Sequence, residues 1–428
     1  MFHFDDFIRV IETRGHCKNE ASSIRHMIGK YYYLCTNAWI LSMMAICLIL
    51  FGCDNANQKK TRLSQDIPVF DLTKNYPEIG LDADEAVKNF IPLETTDKVL
   101  ADASFLLEYV SEQRIVGRNR TRSEVFIFDK DGRVVSFFNH KGLGPNEYTS
   151  IQSLVFDENT QEIFLSDTPS KNRCLVYSSD GRYLRQFNYP ENSRIANLYD
   201  FDEQTLLAYN ALSPAHDGPL GINQITPYVF LSKKDGSLIS RLDLSFPNRL
   251  SDMYVQRMGE GSIVLPLRFG GNLKYGNEFI IVNRSSDTVF LLTKNKNLTP
   301  LFVRTPSVYD ENQILNMSIS FMTDKYLFFE SITFNLNEAA QQMLNGRRYA
   351  PPPARKFAYN KQTRQLFSVN KGPVGQMVDV QGKSEVILHR ADQLVGRLEK
   401  GELDGKLKQI AQQIDADDNP VVEIIRYK

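Results

Sequence analysis

The segment VFIFDKDGRVVSFF, from Val125 to Phe138, decides the fold. Two runs of apolar, β-branched or aromatic residues flank a polar turn that contains Asp and Gly, which is the pattern of an antiparallel hairpin. Four later segments keep this pattern with decreasing fidelity: CLVYSSDGRYLRQF (174–187), YVFLSKKDGSLISRLDL (228–244), FIIVNRSSDTVFLL (279–292) and FAYNKQTRQLFSV (357–369). The chain therefore repeats one hairpin.

The spacing of these hairpins identifies the repeat. The turn residues Asp131, Asp180, Asp235 and Asp287 are 49, 55 and 52 residues apart, and the next turn, at Thr363, follows after 76. A period near fifty with two hairpins per unit is typical of a four-stranded β-propeller blade. The repeated hairpin then supplies strands C and D, and the inner strands A and B precede it; in blade four these are MYVQRM and SIVLPL. The long last interval indicates an insertion at Ser331–Ala354.

A sixth unit ends the chain. It contains the strand candidates QMVDV (376–380), SEVILH (384–389) and VVEIIRY (421–427), with an amphipathic helical stretch between the last two. This unit is one strand short, and NFIPLE (89–94) is an unassigned N-terminal strand that would complete it and close the ring. The predicted fold is an all-β six-bladed propeller, closed by the N-terminal strand, with helical insertions in the B-C loops of blades five and six.

The N-terminus has the features of an export signal. Tyr31–Gly52 is 22 residues without a charge, preceded by Lys30 and Arg25. Leu50-Phe51-Gly52-Cys53 resembles a bacterial lipobox, which predicts cleavage before Cys53 and lipidation of that residue. The alternative is an uncleaved transmembrane anchor. We expect residues 1–52 to be an N-terminal extension with a signal peptide, for which Met27 is a better start, residues 53–66 to be a tether, and residues 67–428 to be the propeller.

The cysteines agree with this division. Cleavage removes three of the five cysteines and lipidation of Cys53 uses a fourth, so Cys174 is left without a disulfide partner. Cys174 begins an apolar run, and we expect it to be a buried small hydrophobic residue.

Four segments carry a resemblance to a family: IPVFDLTKNYP (67–77), FIPLETT (90–96), GLGPNEY (142–148) and DNPVVEIIRYK (418–428). With the lipobox, they make the chain similar to six-bladed β-propeller lipoproteins of Gram-negative gut anaerobes, which are related to NHL-repeat propellers. The resemblance implies the fold and an envelope location. It implies no catalytic residue.

Insertions favour one face for recognition. Asn210–Pro227, Ser331–Ala354 and Arg390–Pro420 are predicted B-C loops, and GLGPNEY is a D-A loop; all of these fall at the same end of a meander. The guanidinium groups of arginines at that face could bind carboxylate, sulfate or phosphate through paired hydrogen bonds. The predicted ligand-binding residues are Arg118, Arg120, Arg122, Arg173, Arg268, Tyr275 and Arg347. The alternative is that these are ordinary solvated loop residues and that GLGPNEY is a tight turn over a packed Tyr148.

Charge and motifs exclude several function classes. Fifty Lys and Arg against 51 Asp and Glu exclude a globally basic nucleic-acid binder. No HExxH, P-loop, GxSxG, CxxC or dinucleotide fingerprint occurs, and the processed chain keeps only His140, His216 and His389 for a three-His site. We predict no catalytic residue, cofactor or metal.

The sequence thus predicts a monomeric, lipid-anchored module of the cell envelope, periplasmic or at the outer-membrane surface, that binds or scaffolds a glycan, a peptide or an envelope protein. One alternative is a propeller hydrolase or lyase that acts on an extracellular polymer. The other is a sensor domain on a permanent membrane anchor.

Overall fold

The computed structural model describes residues 67–79, 87–167, 171–191, 193–211, 226–246, 248–251, 253–258, 261–266, 273–276, 278–310, 314–335, 338, 341–342, 344–347, 352–370 and 384–426. The predicted signal peptide, Cys53 and the tether lie outside these residues and stay predictions. The N-terminal segment begins with three strands that join the outer edges of three different blades: β1 (Val69–Asp71), β2 (Glu78–Ile79) and β3 (Val87–Pro92).

Blades one to three are four-stranded antiparallel meanders, with the strands in chain order from the axis outward. Blade one contains β4 (Phe105–Val110), β5 (Arg114–Asn119), β6 (Glu124–Asp129) and β7 (Val134–Phe138). Blade two contains β8 (Ser153–Asp157), β9 (Glu162–Ser166), β10 (Arg173–Ser178) and β11 (Tyr183–Asn188). Blade three contains β12 (Ile195–Asp200), β13 (Thr205–Asn210), β14 (Tyr228–Ser232) and β15 (Leu238–Arg241). The predicted hairpins β6-β7, β10-β11 and β14-β15 are confirmed as strands C and D.

Blade four differs from the prediction in its strand assignment. The segments MYVQRM and SIVLPL form β16 (Met253–Met258) and β17 (Gly261–Pro266), which pair with each other as a two-stranded sheet. The blade itself consists of β18 (Leu273–Tyr275), β19 (Glu278–Ile281), β20 (Thr288–Leu292) and β21 (Leu298–Thr305). The hairpin around Asp287 therefore joins strands B and C, and its assignment to strands C and D was wrong. A polar turn between two apolar runs has the same pattern in either position.

Blade five contains β22 (Ile314–Met322), β23 (Tyr326–Phe334), β24 (Arg355–Asn360) and β25 (Leu366–Val369). Its B-C insertion begins after Phe334, and the residues described between 338 and 344 are helical. In blade six the described strands are β26 (Ser384–His389), β27 (Val421–Arg426) and β3, in that order. The candidate QMVDV lies outside the described residues. The insertion of blade six, between β26 and β27, contains two helices, α1 (Ala391–Glu399) and α2 (Gly405–Ala411).

The N-terminal segment closes the ring as predicted, and it also does more. β3 pairs antiparallel with β27, with Ile91 opposite Val422, so blade six combines both ends of the propeller. Before that, β1 adds in parallel to β21 of blade four and β2 adds in parallel to β25 of blade five. Leu72, which follows β1, is fully buried in the apolar cluster between these two blades. The segment therefore ties three consecutive blades together.

The core lies between neighbouring blades. In one cluster, Val116 and Ile127 of blade one pack against Leu165 and Leu175 of blade two. In strand β6, Val125–Phe128 are all fully buried, as expected for a strand that neighbouring blades cover on both faces. Cys174 is a free, fully buried thiol, as predicted, and burial raises its pKa.

Candidate functional site

The long loops lie at the end of the propeller predicted from the sequence, which we call the loop-bearing face. In blades three and five the long insertion lies between the second and third strands, in blade six it lies between β26 and β27, and the GLGPNEY turn connects blade one to blade two. In an antiparallel meander these B-C loops and D-A crossings fall at the same end of the sheets. Parts of the insertions in blades three and five lie outside the described residues, whereas the blade-six insertion is described throughout.

A cavity of about 370 Å³ lies on this face between blades six and one. One wall is the crossing from β3 to β4, residues 100–103. The other wall is formed by the two ends of the blade-six insertion, around the start of α1 and the residues before β27. We call it the blade 6/1 pocket; its lining residues are Leu100, Ala101, Asp102, Ala103, Arg390, Ala391, Asp392, Ala416, Asp417, Asp418 and Pro420.

Asn419 holds the two walls together. Its side chain is almost fully buried; its Oδ1 accepts from the Ala101 backbone N–H at 2.7 Å, and its Nδ2 donates to the carbonyls of Glu94 at 2.7 Å and Val99 at 3.0 Å. Its own backbone N–H donates to Thr95 Oγ1 at 2.8 Å. A buried amide with all these partners fixes both walls in one arrangement, so the pocket is pre-formed.

The Asp102 carboxylate is held in place by Ser104 and Arg122. It accepts hydrogen bonds from the backbone and the hydroxyl of Ser104, and its Oδ2 lies 3.4 Å from Arg122 Nε. Burial opposes ionisation, but the bonds from Ser104 and the charge of Arg122 outweigh it and hold the pKa of Asp102 below its ordinary value. Asp102 is therefore an anion at neutral pH.

Arg390 and Asp392 form the opposite rim. The guanidinium donates from Nε to Asp392 Oδ1 at 3.0 Å and from Nη2 to Oδ2 at 2.8 Å. These bonds lower the pKa of Asp392, which lies in the first turn of α1, where a negative charge is also favoured by the helix. With Asp417 and Asp418, the lining has four carboxylates and one guanidinium. The pocket thus offers hydrogen-bond acceptors to hydroxyl or cationic groups.

Two of the predicted ligand-binding arginines, Arg118 and Arg173, hold parts of the propeller together. Arg118 is buried; its Nε lies 2.5 Å from Glu108 Oε1 and its Nη1 donates to the Ile151 carbonyl at 2.6 Å, which joins blade one to the crossing before blade two. Burial raises the pKa of Glu108, against the effect of Arg118.

Arg173 holds the GLGPNEY turn. It pairs with Asp167 at 3.0 Å and donates to the carbonyls of Pro145 and Glu147. Tyr148 is fully buried and its hydroxyl donates to the Ser123 carbonyl at 2.8 Å, as the tight-turn interpretation predicted.

The other predicted residues divide between the pocket and the open surface. Arg122 donates to the Leu100 carbonyl and pairs with Glu124 at 2.7 Å, so it supports the pocket wall formed by residues 100–103. Arg120 and Arg347 are exposed. Tyr275 lies in β18, but its side chain and the whole of Arg268 are outside what the structure describes. Of the seven predicted residues, the structure brings Arg122 to the pocket.

The histidines are used separately. His140 Nε2 lies 2.7 Å from the Gly181 carbonyl and the ring stacks on Tyr177, whereas His389 Nε2 lies 2.7 Å from Glu423 Oε2 in blade six. His216 is outside the described residues. Among the residues that the structure describes, no group of His, Cys, Asp and Glu is placed to hold a metal ion.

A second charged cluster lies at the other end of the inner strands, and the sequence analysis missed it. Lys233 Nζ lies 2.6 Å from Asp157 Oδ2 and 2.7 Å from Asp200 Oδ1, and Lys274 Nζ lies 2.8 Å from Asp200 Oδ2. Asp157 and Asp200 end the innermost strands of blades two and three, and Lys274 lies in that of blade four. We call these four residues the inner-strand network; it joins three blades by alternating charges.

Sequence signals for the missed residues are faint. Asp157 and Asp200 each follow an apolar strand, which is equally typical of a turn former. The acidic run Asp415–Asp418 marks the pocket region only once the insertion is known to fold back onto blade one. The bond between Asn419 and Ala101 spans 318 residues and has no local pattern.

Comparisons with known proteins agree with the fold. The chain is similar in structure to a protein of Bacteroides fragilis described as exported, with a TM-score of 0.58 and 15% identity over 82% of this chain and 99% of that one. A member of the DUF4221 family from Bacteroides vulgatus gives a TM-score of 0.47 and 9% identity over 81% of this chain and 99% of that one. No curated protein matches the chain. The first similarity supports the propeller fold.

Two further findings concern the chain as a whole. Within the part of the chain that the structure describes, no helix is long and apolar enough to cross a membrane. Residues 67–426 match the family described as "Domain of unknown function (DUF4934)". Because that match covers well over half of the sequence, this six-bladed propeller belongs to the DUF4934 family.

Proposed function

We propose that the chain is an exported, lipid-anchored protein of the cell envelope whose propeller binds a glycan in the blade 6/1 pocket. The anchor rests on the uncharged segment before Cys53 and on the lipobox resemblance. Export is also supported by the description of the similar Bacteroides fragilis protein. A rigid ring with elaborated loops at one end is a common arrangement for recognition.

The observation that carries the proposal is the pocket itself. Its volume of about 370 Å³ falls within the range of small-molecule sites. Asn419 fixes its walls before any ligand arrives, which lowers the entropic cost of binding. Its four carboxylates are acceptors that suit the many hydroxyls of a sugar or the ammonium of an amino sugar.

The arginines predicted from the sequence keep a role in this proposal. Arg118, Arg122 and Arg173 position strands and loops of the recognition face through the bonds described above. Arg120 and Arg347 are exposed and form no ion pair with any described residue, so they remain available at the surface, and we retain them, with Arg268 and Tyr275, as outer contacts.

The inner-strand network does not favour the hydrolase or lyase alternative. A general acid or base needs to exchange a proton with substrate. Both oxygens of Asp200 are in ion pairs, and Lys233 is held between two carboxylates. This arrangement suits a structural role.

Binding is tested with a panel of neutral, amino and acidic glycans against the purified protein. Ala103→Trp fills the pocket from an exposed position, and Leu143→Trp places the same bulk at an 85% exposed site of the same face. We expect a glycan that binds wild type and L143W but loses at least tenfold in affinity with A103W. Asp392→Asn, which removes one carboxylate, should weaken binding by about tenfold, the usual scale of a charged hydrogen bond. Equal binding by A103W and wild type, or no binding by a folded wild type, would contradict the proposal.

The anchor is tested separately by labelling cells with a fatty-acid analogue. We expect label on the wild-type protein and none on Cys53→Ser, with a mature chain that begins at Cys53. An unlabelled protein that keeps residues 31–52 would establish the transmembrane alternative.

A further inference from the structure

The lining of the blade 6/1 pocket carries more negative than positive charge. Among its described residues, Asp102, Asp392, Asp417 and Asp418 are carboxylates and Arg390 is the cation. Aspartate side chains are ordinarily anions at neutral pH. The lining therefore has an excess of three negative charges.

The guanidinium groups beside the pocket are already used by the protein. Arg390 donates two hydrogen bonds to Asp392, at 3.0 and 2.8 Å. Arg122, which supports the opposite wall, lies 3.4 Å from Asp102 and pairs more closely with Glu124, at 2.7 Å. The positive charge near the pocket is thus balanced by these three carboxylates and does not reach the other two of the lining.

Those two, Asp417 and Asp418, lie at the end of the blade-six insertion. Asp418 Oδ2 accepts the backbone N–H of Asp415 at 2.8 Å, which is an uncharged donor. Asp417 is exposed. Neither carboxylate forms an ion pair within the described part of the chain, so both can accept a cationic group of a ligand.

The carboxylates surround a cavity and do not converge on one point. Asp102 lies on the crossing from β3 to β4, Asp392 in α1 and Asp417 before β27. No group of described residues in the chain is placed to hold a metal ion. Separated acceptors suit an organic cation with several donors. The rest of the lining is small or apolar, which suits its C–H surface: Leu100, Ala101, Ala103, Ala391, Ala416 and Pro420.

An amino sugar has this combination of groups. Its ammonium and its hydroxyls lie on one rigid ring, so that they can meet acceptors on both walls at once. A lysine side chain carries its charge as a single group at the end of a flexible stem. Because Asn419 fixes the two walls in one arrangement, a rigid ligand with donors on two sides fits them better than a flexible one.

We propose that the blade 6/1 pocket selects glycans with an unacetylated amino group over their N-acetylated and acidic counterparts. This inference rests on the proposed glycan-binding function and names the class of glycan. The ammonium would bind at Asp417 and Asp418, and ring hydroxyls would donate to Asp102 and Asp392. N-acetylation removes the charge that the first pair attracts, and a uronate would be repelled by the excess of carboxylates.

The test is titration calorimetry of the purified protein at about pH 6, where the sugar amine is protonated. The ligands are the disaccharide of glucosamine, its di-N-acetylated counterpart and digalacturonate. We expect the amino form to bind at least about tenfold more tightly than the acetylated form, which is the scale of a hydrogen bond to a charged group. Added salt should weaken the binding of the amino form, because it screens the attraction. Digalacturonate should not bind.

A matched pair of variants assigns the effect to the pocket. Asp417→Asn removes a lining carboxylate that has no described partner, and Asp415→Asn removes the same charge from an exposed residue of the same segment outside the lining. We expect D417N to lose about fivefold or more in affinity for the amino form and nothing for the acetylated form. D415N should stay within about twofold of wild type, since the bond from its backbone N–H to Asp418 is kept.

The outcomes separate this inference from the proposed function. Equal binding of the amino and acetylated forms, both lost in Ala103→Trp, would overturn the selection for an amino group and leave the glycan pocket in place. Binding of tetralysine as tight as that of the amino disaccharide, with the same loss in D417N, would overturn the assignment to a sugar. If no glycan binds the folded wild type, the proposed function itself fails.

Discussion

Lys233 and Asp157 form a buried ion pair across the boundary between blades two and three, with Nζ and Oδ2 2.6 Å apart. Both side chains are less than a tenth exposed, and Lys233 also reaches Asp200 of its own blade. Arg185 of blade two also donates to the Lys233 carbonyl at 2.9 Å, so the pair adds a buried charged contact to a boundary that hydrogen bonds already cross.

Replacing Lys233 by Met tests this link. The change leaves Asp157 buried without its counter-ion, and breaking a buried pair costs about 3–5 kcal/mol. We expect a loss of that size in the free energy of unfolding, measured by urea denaturation. The neighbouring Lys234 is exposed, so Lys234→Met should change stability by less than about 0.5 kcal/mol. Equal stabilities of the two variants would show that the pair contributes nothing.

The same pair predicts a pH dependence. Burial opposes ionisation of Asp157, but Lys233 lowers the pKa of Asp157 below its ordinary value of 3.8; burial likewise opposes the charge of Lys233, but Asp200 and Asp157 raise the pKa of Lys233 above 10.5. The contribution of Asp157 is complete above its unfolded pKa and is lost as the pH falls through its folded pKa. That of Lys233 is complete below its unfolded pKa and is lost as the pH rises through its folded pKa.

The stability difference between wild type and K233M should therefore be complete at pH 7 and narrow toward pH 2, because Asp157 becomes protonated in both proteins. Urea denaturation at pH 7 and at pH 2 measures it. A difference that is as large at pH 2 as at pH 7 would contradict the assignment to ion pairing.

Leu72 tests the N-terminal segment. It is fully buried between blades four and five, and its N–H donates to the Thr305 carbonyl at 2.8 Å. Leu72→Ala should cost about 2–5 kcal/mol, the range for a buried leucine. Val69 lies in the adjoining strand β1 but is 61% exposed, so Val69→Ala should be nearly neutral. A neutral L72A in chemical denaturation would mean that the segment is not part of the cooperative fold.

Gly132 tests the closure of the ring. It has φ +85°, and an added Cβ would lie 2.2 Å from the Pro92 carbonyl oxygen of β3. Gly401, after α1, has φ +69° and no atom within 4 Å of such a Cβ. Both alanine variants pay about 1–2 kcal/mol for the left-handed backbone, and G132A should lose about 1–3 kcal/mol more from overpacking. Thermal unfolding compares the two, and equal midpoints would refute tight closure at Pro92.

Most strands and the turns between them were predicted from local sequence patterns. The Asp-Gly turns of blades one to three have glycines at positive φ where the pattern placed them. The same reasoning failed at blade four, because an apolar run on each side of Asn283–Asp287 predicts a hairpin without telling which two of four strands it joins. It also missed β1 and β2, since three- and two-residue strands are too short to show alternation.

The candidate site was predicted as a face, while its chemistry came from tertiary contacts. Arginine at positions 118 and 173 suggested ligand binding, yet their guanidinium groups are committed to Glu108 and Asp167. The pocket exists because Asn419 bonds to Ala101. Alternation and turn residues are properties of neighbouring positions, so the sequence by itself determined the repeat, the blade number and the loop-bearing face. Which side chains meet depends on how strands pair within a blade and how neighbouring blades pack, as at Lys233 and Asp157, and on ring closure, which brings Asn419 to Ala101; only the tertiary structure decided these contacts.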